Sequence, residues 1–168
     1  MAEKRRLPVL KSDSSETEPK LPLWQWSALG VALSFALWIP LAALAQTIAN
    51  RLVAHAIGVA GGGASNDELR QVARLLPEEV QRRLSVQFLL LHVAALGLST
   101  FAGGYVVGKY GGDGAVRAAL GCGIVVAAFG AALGAWSGAF GWTSAAIVLI
   151  TVPMSWWGGN TGARKRSA

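Results

Sequence analysis

The sequence predicts an all-α integral membrane bundle of four transmembrane helices, with an amphipathic helix in the first extracytoplasmic loop. Three observations carry that expectation. Of the 168 residues, 53% are hydrophobic and only 14% charged, where a water-soluble domain carries about 25% charged residues. The fifteen Lys and Arg and the nine Asp and Glu collect in short stretches separated by long apolar runs. Four of those runs approach the roughly 20 residues needed to cross a hydrocarbon core about 30 Å thick. With Cys122 as the only cysteine, a disulfide-built secreted scaffold is excluded, and the aliphatic and aromatic content argues against disorder.

The spans are expected at about 23–49, 86–107, 115–136 and 140–157. The first is longer than a bilayer requires, so it can tilt, or bend at Pro40, which lacks a backbone donor and crowds the carbonyl of Ala36. The second contains His92, the third has Arg117 near one end, and the fourth has Pro153 near its end. Lys4, Arg5 and Arg6 precede the first run as they would in a secretory signal. That run is far longer than the 7–15 apolar residues typical of a signal, so it is expected to be retained as a span.

Orientation follows from the basic residues. The two tails and the second loop share ten: Lys4, Arg5, Arg6, Lys11, Lys20, Lys109, Arg117, Arg164, Lys165 and Arg166. The first loop holds five, Arg51, Arg70, Arg74, Arg82 and Arg83, and the third loop none. Positive loops stay in the cytoplasm, so both termini are expected there. Trp24, Trp26, Tyr105, Tyr110, Trp156 and Trp157 would then lie at the inner interface and Trp136 and Trp142 at the outer one, with Trp38 alone in mid-span.

Residues 1–20 mix both charge signs with Ser, Thr and Pro and lack apolar periodicity, which predicts a flexible cytoplasmic tail. It serves as a topology determinant, a docking or phosphorylation segment, or a contact with anionic lipid. Residues 161–168 form a short basic tail on the same side. In the loop 50–85, Gly61-Gly62-Gly63 breaks any helix continuing past Asn50, and Ser65 or Asn66 can cap a new one. Leu69, Val72, Leu76, Val80 and Leu84 recur at helical spacing, and Glu78–Arg82 and Glu79–Arg83 have the spacing of ion pairs. Pro77 divides this pattern, giving a short helix from Asn66 to Leu76 and a second from Pro77 that runs directly into the second span. The apolar stripe can lie on the membrane, fold over the bundle or bind a partner protein.

The string Gly103-Gly104-Tyr105-Val106-Val107-Gly108-Lys109-Tyr110 satisfies the phosphate-binding G-x-x-x-x-G-K pattern up to its last position, where Tyr110 replaces the magnesium-binding hydroxyl. It also lacks a preceding strand. Gly121-Cys122-Gly123 is a still weaker echo of a dinucleotide fingerprint. Both are read as helix packing, in which small residues let backbones approach. The expected packing positions are Gly104, Gly108, Gly130, Gly134 and Gly138. Ala119, Gly123, Ala127 and Ala131 repeat on an adjacent face of the third span, and Ala28, Ala32 and Ala36 in the first. This pattern does not choose between contacts inside one chain and a homo-oligomer.

No cofactor, metal or catalytic residues are expected, because the only histidines are His55 and His92 and no Asp or Glu lies within a span. His92, with Gln87, Ser99 and Thr100 nearby, is the one intramembrane polar site. It is either a functional group by virtue of its depth or a neutral histidine bonded to a neighbouring helix. The second span ends in Phe101-Ala102-Gly103-Gly104 with Gly108-Lys109 after it. The fourth ends in Trp156-Trp157-Gly158-Gly159 with Gly162 and Arg164 after it, an echo that two parallel hairpins would produce.

The ending GGYVVGK, the Gly- and Ala-rich third span and the terminal WWGGNTGARKR together resemble small bacterial multi-span membrane proteins of unknown function, whose spans often end in Gly-Gly-x-x-x-Gly-Lys/Arg strings. The resemblance covers Leu84 to Arg166, about half the chain. It implies a four-helix inner-membrane protein without known catalytic activity and supplies no functional residues. The expected role is therefore non-enzymatic: an accessory, scaffold or assembly subunit. Its partners would be the lipid bilayer and a homo-oligomer or larger membrane complex, and not nucleic acid. The alternative is a small solute or ion transporter or channel, which needs polar groups or broken helices along its pathway.

Overall fold

A computed structural model describes residues 22–56, 58, 71–72, 74–136 and 142–167. The architecture is all-α. Among the described residues there are four long helices: α1 (Leu23–Ala56), α2 (Glu78–Tyr110), α3 (Ala115–Trp136) and α4 (Trp142–Ser167). In α1, α2 and the Ala115–Leu133 part of α3 the chain is long and apolar enough to cross a membrane. The 34 residues of α1 and 33 of α2 rise about 50 Å each, so both extend past a hydrocarbon core about 30 Å thick.

Pro40 lies inside α1, which continues through it to Ala56. Pro77 occupies the N-cap of α2, with Glu78 and Glu79 in the first turn, where carboxylates favour the exposed N–H groups. From there α2 runs unbroken to Tyr110. The Gln81 side-chain amide holds the incoming chain by donating to the carbonyls of Leu76 at 2.7 Å and Arg74 at 3.1 Å. Ion pairs between Glu78 and Arg82 or Glu79 and Arg83, expected from their spacing, are not formed among the described residues. These side chains are exposed, and water competes well for such charges.

α2 and α3 are joined by the turn Gly111–Gly114. Gly112 and Gly114 have φ of +67° and +84°, values that a residue with a Cβ rarely adopts. The N–H of Gly111 donates to the Val107 carbonyl at 2.8 Å, closing α2. The last helix, α4, continues through Arg164, Lys165 and Arg166, so the expected basic tail is its final turn.

The helices form a ring in the order α1, α2, α4, α3, with α2 and α3 also touching across it. Adjacent hairpin partners run antiparallel: Gly30 of α1 meets Val107 of α2, and Gly123 of α3 meets Thr151 and Val152 of α4. α2 and α4 run parallel and share the most extensive interface. Leu23 packs by Gly114, while Gly112, Gly114 and Arg166 border one cleft. The start of α1, the α2–α3 turn and the end of α4 therefore lie at one end of the bundle. Among the described residues the fully buried side chains are small: Ser34, Ser99, Thr100, Val107, Cys122, Thr151 and Ser155. Large apolar side chains such as Ile39, Leu90, Phe129, Leu149 and Trp157 point outward. A water-soluble core inverts that distribution.

The expected tail 1–20, the glycine run 61–63, the capping residues Ser65 and Asn66 and the packing position Gly138 lie outside the described residues, as do most of the expected helix Asn66–Leu76 and the surroundings of Gly134.

Candidate functional site

The best-defined feature of the bundle is the α2–α4 contact. A Cβ built on Gly104 would collide with the backbone of Ser155, and one on Gly108 with the backbone of Gly159. Reciprocally, a Cβ on Gly158 would strike the carbonyl of Phe101 and one on Gly162 the carbonyl of Tyr105. The contacts form a symmetric set. Exchanging Gly104 for Gly158 and Gly108 for Gly162, with Ser155 for Phe101 and Gly159 for Tyr105, maps each contact onto another with one constant shift in numbering. The two span endings that echo each other in sequence thus pack as a quasi-two-fold pair of G-x-x-x-G helices, one position away from the alignment of their Gly-Gly pairs. Phe101 closes the seam edge-on against Trp157, with ring centroids 5.2 Å apart.

The helix period explains why the string Gly103–Lys109 serves two neighbours. Gly104 and Gly108 face α4, while Gly103, one residue back, faces α1, where a Cβ would meet Ser34 Oγ and the carbonyl of Gly30. Because the string lies inside a continuous α-helix, its amides are committed to that helix and do not form a loop around an anion.

Hydroxyls fix the remaining contacts. Ser155 Oγ donates to the Ala119 carbonyl at 2.7 Å, linking α4 to α3, and Ser27 Oγ donates to the Ala118 carbonyl at 2.9 Å, linking α1 to α3. Ser34 Oγ donates to the Gly30 carbonyl at 2.8 Å and lies 3.8 Å from Cys122 Sγ. Thr100 and Thr151 return their hydroxyls to carbonyls of their own helices. Such bonds let a hydroxyl enter an apolar interior without leaving a donor unsatisfied.

The other sequence-derived positions fall as follows. Gly130 is half-buried, and a Cβ there would come within 2.7 Å of Ile147 Cγ2 in α4. Ala119, Gly123 and Ala127 are buried. Ala28, Ala32 and Ala36 are exposed, and the packing face of α1 is instead formed by Gly30 and Ser34. His92 is partly buried, hydrogen-bonded through Nδ1 to the Phe88 carbonyl of its own helix at 2.9 Å, with its ring 4.0 Å from that of Phe88. The bond it makes is thus to its own helix and not to a neighbour. Among the described residues no group of His, Cys, Asp or Glu could hold a metal ion. Sequence reasoning missed Ser27, Ser34 and Ser155; the signal for two of them was a glycine four residues away, Gly30 for Ser34 and Gly159 for Ser155, while Ser27 has no such neighbour.

No protein-family model, curated protein or solved structure matches this chain.

Proposed function

We propose that this chain is a four-span protein of the cytoplasmic membrane with both termini inside, acting non-enzymatically as an accessory, scaffold or assembly subunit. The observation that supports the reading best is the character of the interior. Helices meet backbone to backbone at Gly104, Gly108, Gly158 and Gly162, and the buried polar groups are small hydroxyls bonded to carbonyls. An interior of this kind suits rigid association, because van der Waals contact and interhelical hydrogen bonds replace the hydrophobic drive that lipid does not provide. A transport pathway instead needs polar groups or interrupted helices near the middle of the membrane.

As the fourth span, α4 presents Leu149, Trp156 and Trp157 outward and turns Thr151 and Ser155 inward, the arrangement a helix in lipid requires. Lys109, Arg117, Arg164, Lys165 and Arg166 gather at the end of the bundle shared by the α1 start and the α4 end, which favours that end as the cytoplasmic one.

The test is to purify the full chain in mild detergent, identify what co-purifies, and measure ion and proton flux after reconstitution into sealed vesicles. A defined membrane partner and no flux above protein-free vesicles are expected. Flux that disappears in a folded His92→Leu variant would overturn the reading in favour of a transporter.

A further inference from the structure

We infer that the cleft at the α2–α3 turn binds a phosphate group. The cleft has a volume of about 410 Å³ and is bordered by Gly112 and Gly114 of the turn, Arg117 of α3, and Ala163 and Arg166 of α4. This volume falls in the range of about 300–1,000 Å³ typical of ligand sites. Arg117 and Arg166, exposed side chains from two different helices, thus border one concavity. Neither has a hydrogen bond or ion pair with any described residue. Asp113, between the two bordering glycines, is exposed and does not line the cleft. Among the described residues the wall therefore carries two positively charged side chains and no negative one.

Guanidinium groups form paired, charge-assisted hydrogen bonds with phosphate oxygens, and they stay charged at any physiological pH. The rest of the wall is glycine backbone and short alkyl groups, which leave room for an anion to approach both arginines. The adjoining first turn of α3 adds the positive end of a helix dipole, a secondary contribution.

The position of the cleft fits the same chemistry. It lies at the end of three membrane-crossing helices, beside exposed Tyr110 at the α2 terminus and within three turns of exposed Trp156 and Trp157 on α4. That is the level at which aromatic side chains meet headgroups, so a lipid phosphate has direct access. The chemistry shared by an anionic lipid headgroup and soluble phosphate is what the site recognises. The inference rests on the membrane insertion of the helices and is independent of the accessory role.

The experiment uses the purified full chain in a zwitterionic detergent, with thermal stability and lipid retention by native mass spectrometry as readouts. Phosphatidylglycerol, phosphatidylcholine and inorganic phosphate are added separately. Stabilisation by phosphatidylglycerol identifies a lipid source, and stabilisation by inorganic phosphate alone identifies a soluble one. Either effect should fall at least about fivefold in Arg117→Gln/Arg166→Gln and persist in Arg82→Gln/Arg83→Gln at the far end. Arg166→Gln alone, altering an exposed side chain in the last turn of α4, covers the case in which the double variant fails to fold. The inference is overturned if neither addition stabilises the protein more than phosphatidylcholine does. Equal losses in the two double variants, or none in either, overturn it as well.

Discussion

Gly104 of α2 lies directly against the backbone of Ser155 in α4, with no space between them for even a methyl group. Its quasi-symmetric counterpart, Gly158 against Phe101, repeats the arrangement on the other side of the seam. The chain therefore builds inside one polypeptide the parallel small-residue contact that pairs separate spans elsewhere. One hairpin is α1–α2, the other α3–α4, and the seam joins them.

Substitution of Gly104 or Gly158 by Leu is expected to separate the hairpins. Overpacking typically costs about 1–3 kcal/mol, and backbone atoms, unlike flexible side-chain ends, cannot move aside cheaply. Ala128→Leu, on an exposed face of α3, should cost far less. Thermal denaturation in detergent distinguishes them, and equal stability of Gly104→Leu and Ala128→Leu would refute the seam.

Ser155 offers a finer test. Ser155→Ala removes the 2.7 Å bond to the Ala119 carbonyl and should cost about 0.5–1.5 kcal/mol, in line with interhelical bonds in membranes. Ser155→Leu should be much worse, because that Cβ already lies 2.9 Å from the place a Cβ would take on Gly123. Unfolding titrations of the two variants should therefore rank them Ala above Leu; the reverse order would mean that the α3–α4 contact has room for a large side chain at this position and would refute the close approach.

Cys122 has no exposed surface and sits beside Ser34 and Gly30. A membrane-impermeant thiol reagent should leave it unmodified in intact cells and in folded, detergent-purified protein, and label it after denaturation. Rapid labelling of the folded protein would reveal a water-filled path into the bundle and support a transporter.

Topology is tested by reporter fusions after Lys20, within Gly61–Gly63 and after Ala168. The expected signals are inside, outside and inside. An inside signal from the glycine run would reverse or dismantle the four-span proposal, since α1 would then not carry the chain across.

Replacing His92 by Leu should leave thermal stability nearly unchanged, within about 1 kcal/mol, since its bond is to the Phe88 carbonyl of its own helix. A larger loss, measured beside Gly104→Leu, would show that the imidazole contributes more to assembly than its local bond accounts for.

The sequence by itself determined where the long apolar helices run and that a helix starting at Pro77, the N-cap of α2, continues without a break into a stretch long and apolar enough to cross a membrane. Span length and charge placement are one-dimensional properties, and a proline at a helix start acts through its own ring, so neither depends on what packs nearby. It also indicated that the glycines of α2 would matter. Which small-residue face is used was decided only in three dimensions: Ala28, Ala32 and Ala36 have the spacing of a packing stripe yet face outward, while Gly30 and Ser34 carry α1 against α2 and α3. The reason is that an alanine stripe is almost as comfortable against lipid tails as against another helix, so its pattern alone does not select a side. A glycine pressed against a neighbouring backbone, or a serine hydroxyl reaching a carbonyl on another helix, has one place to be, and that place exists only once the four helices have come together.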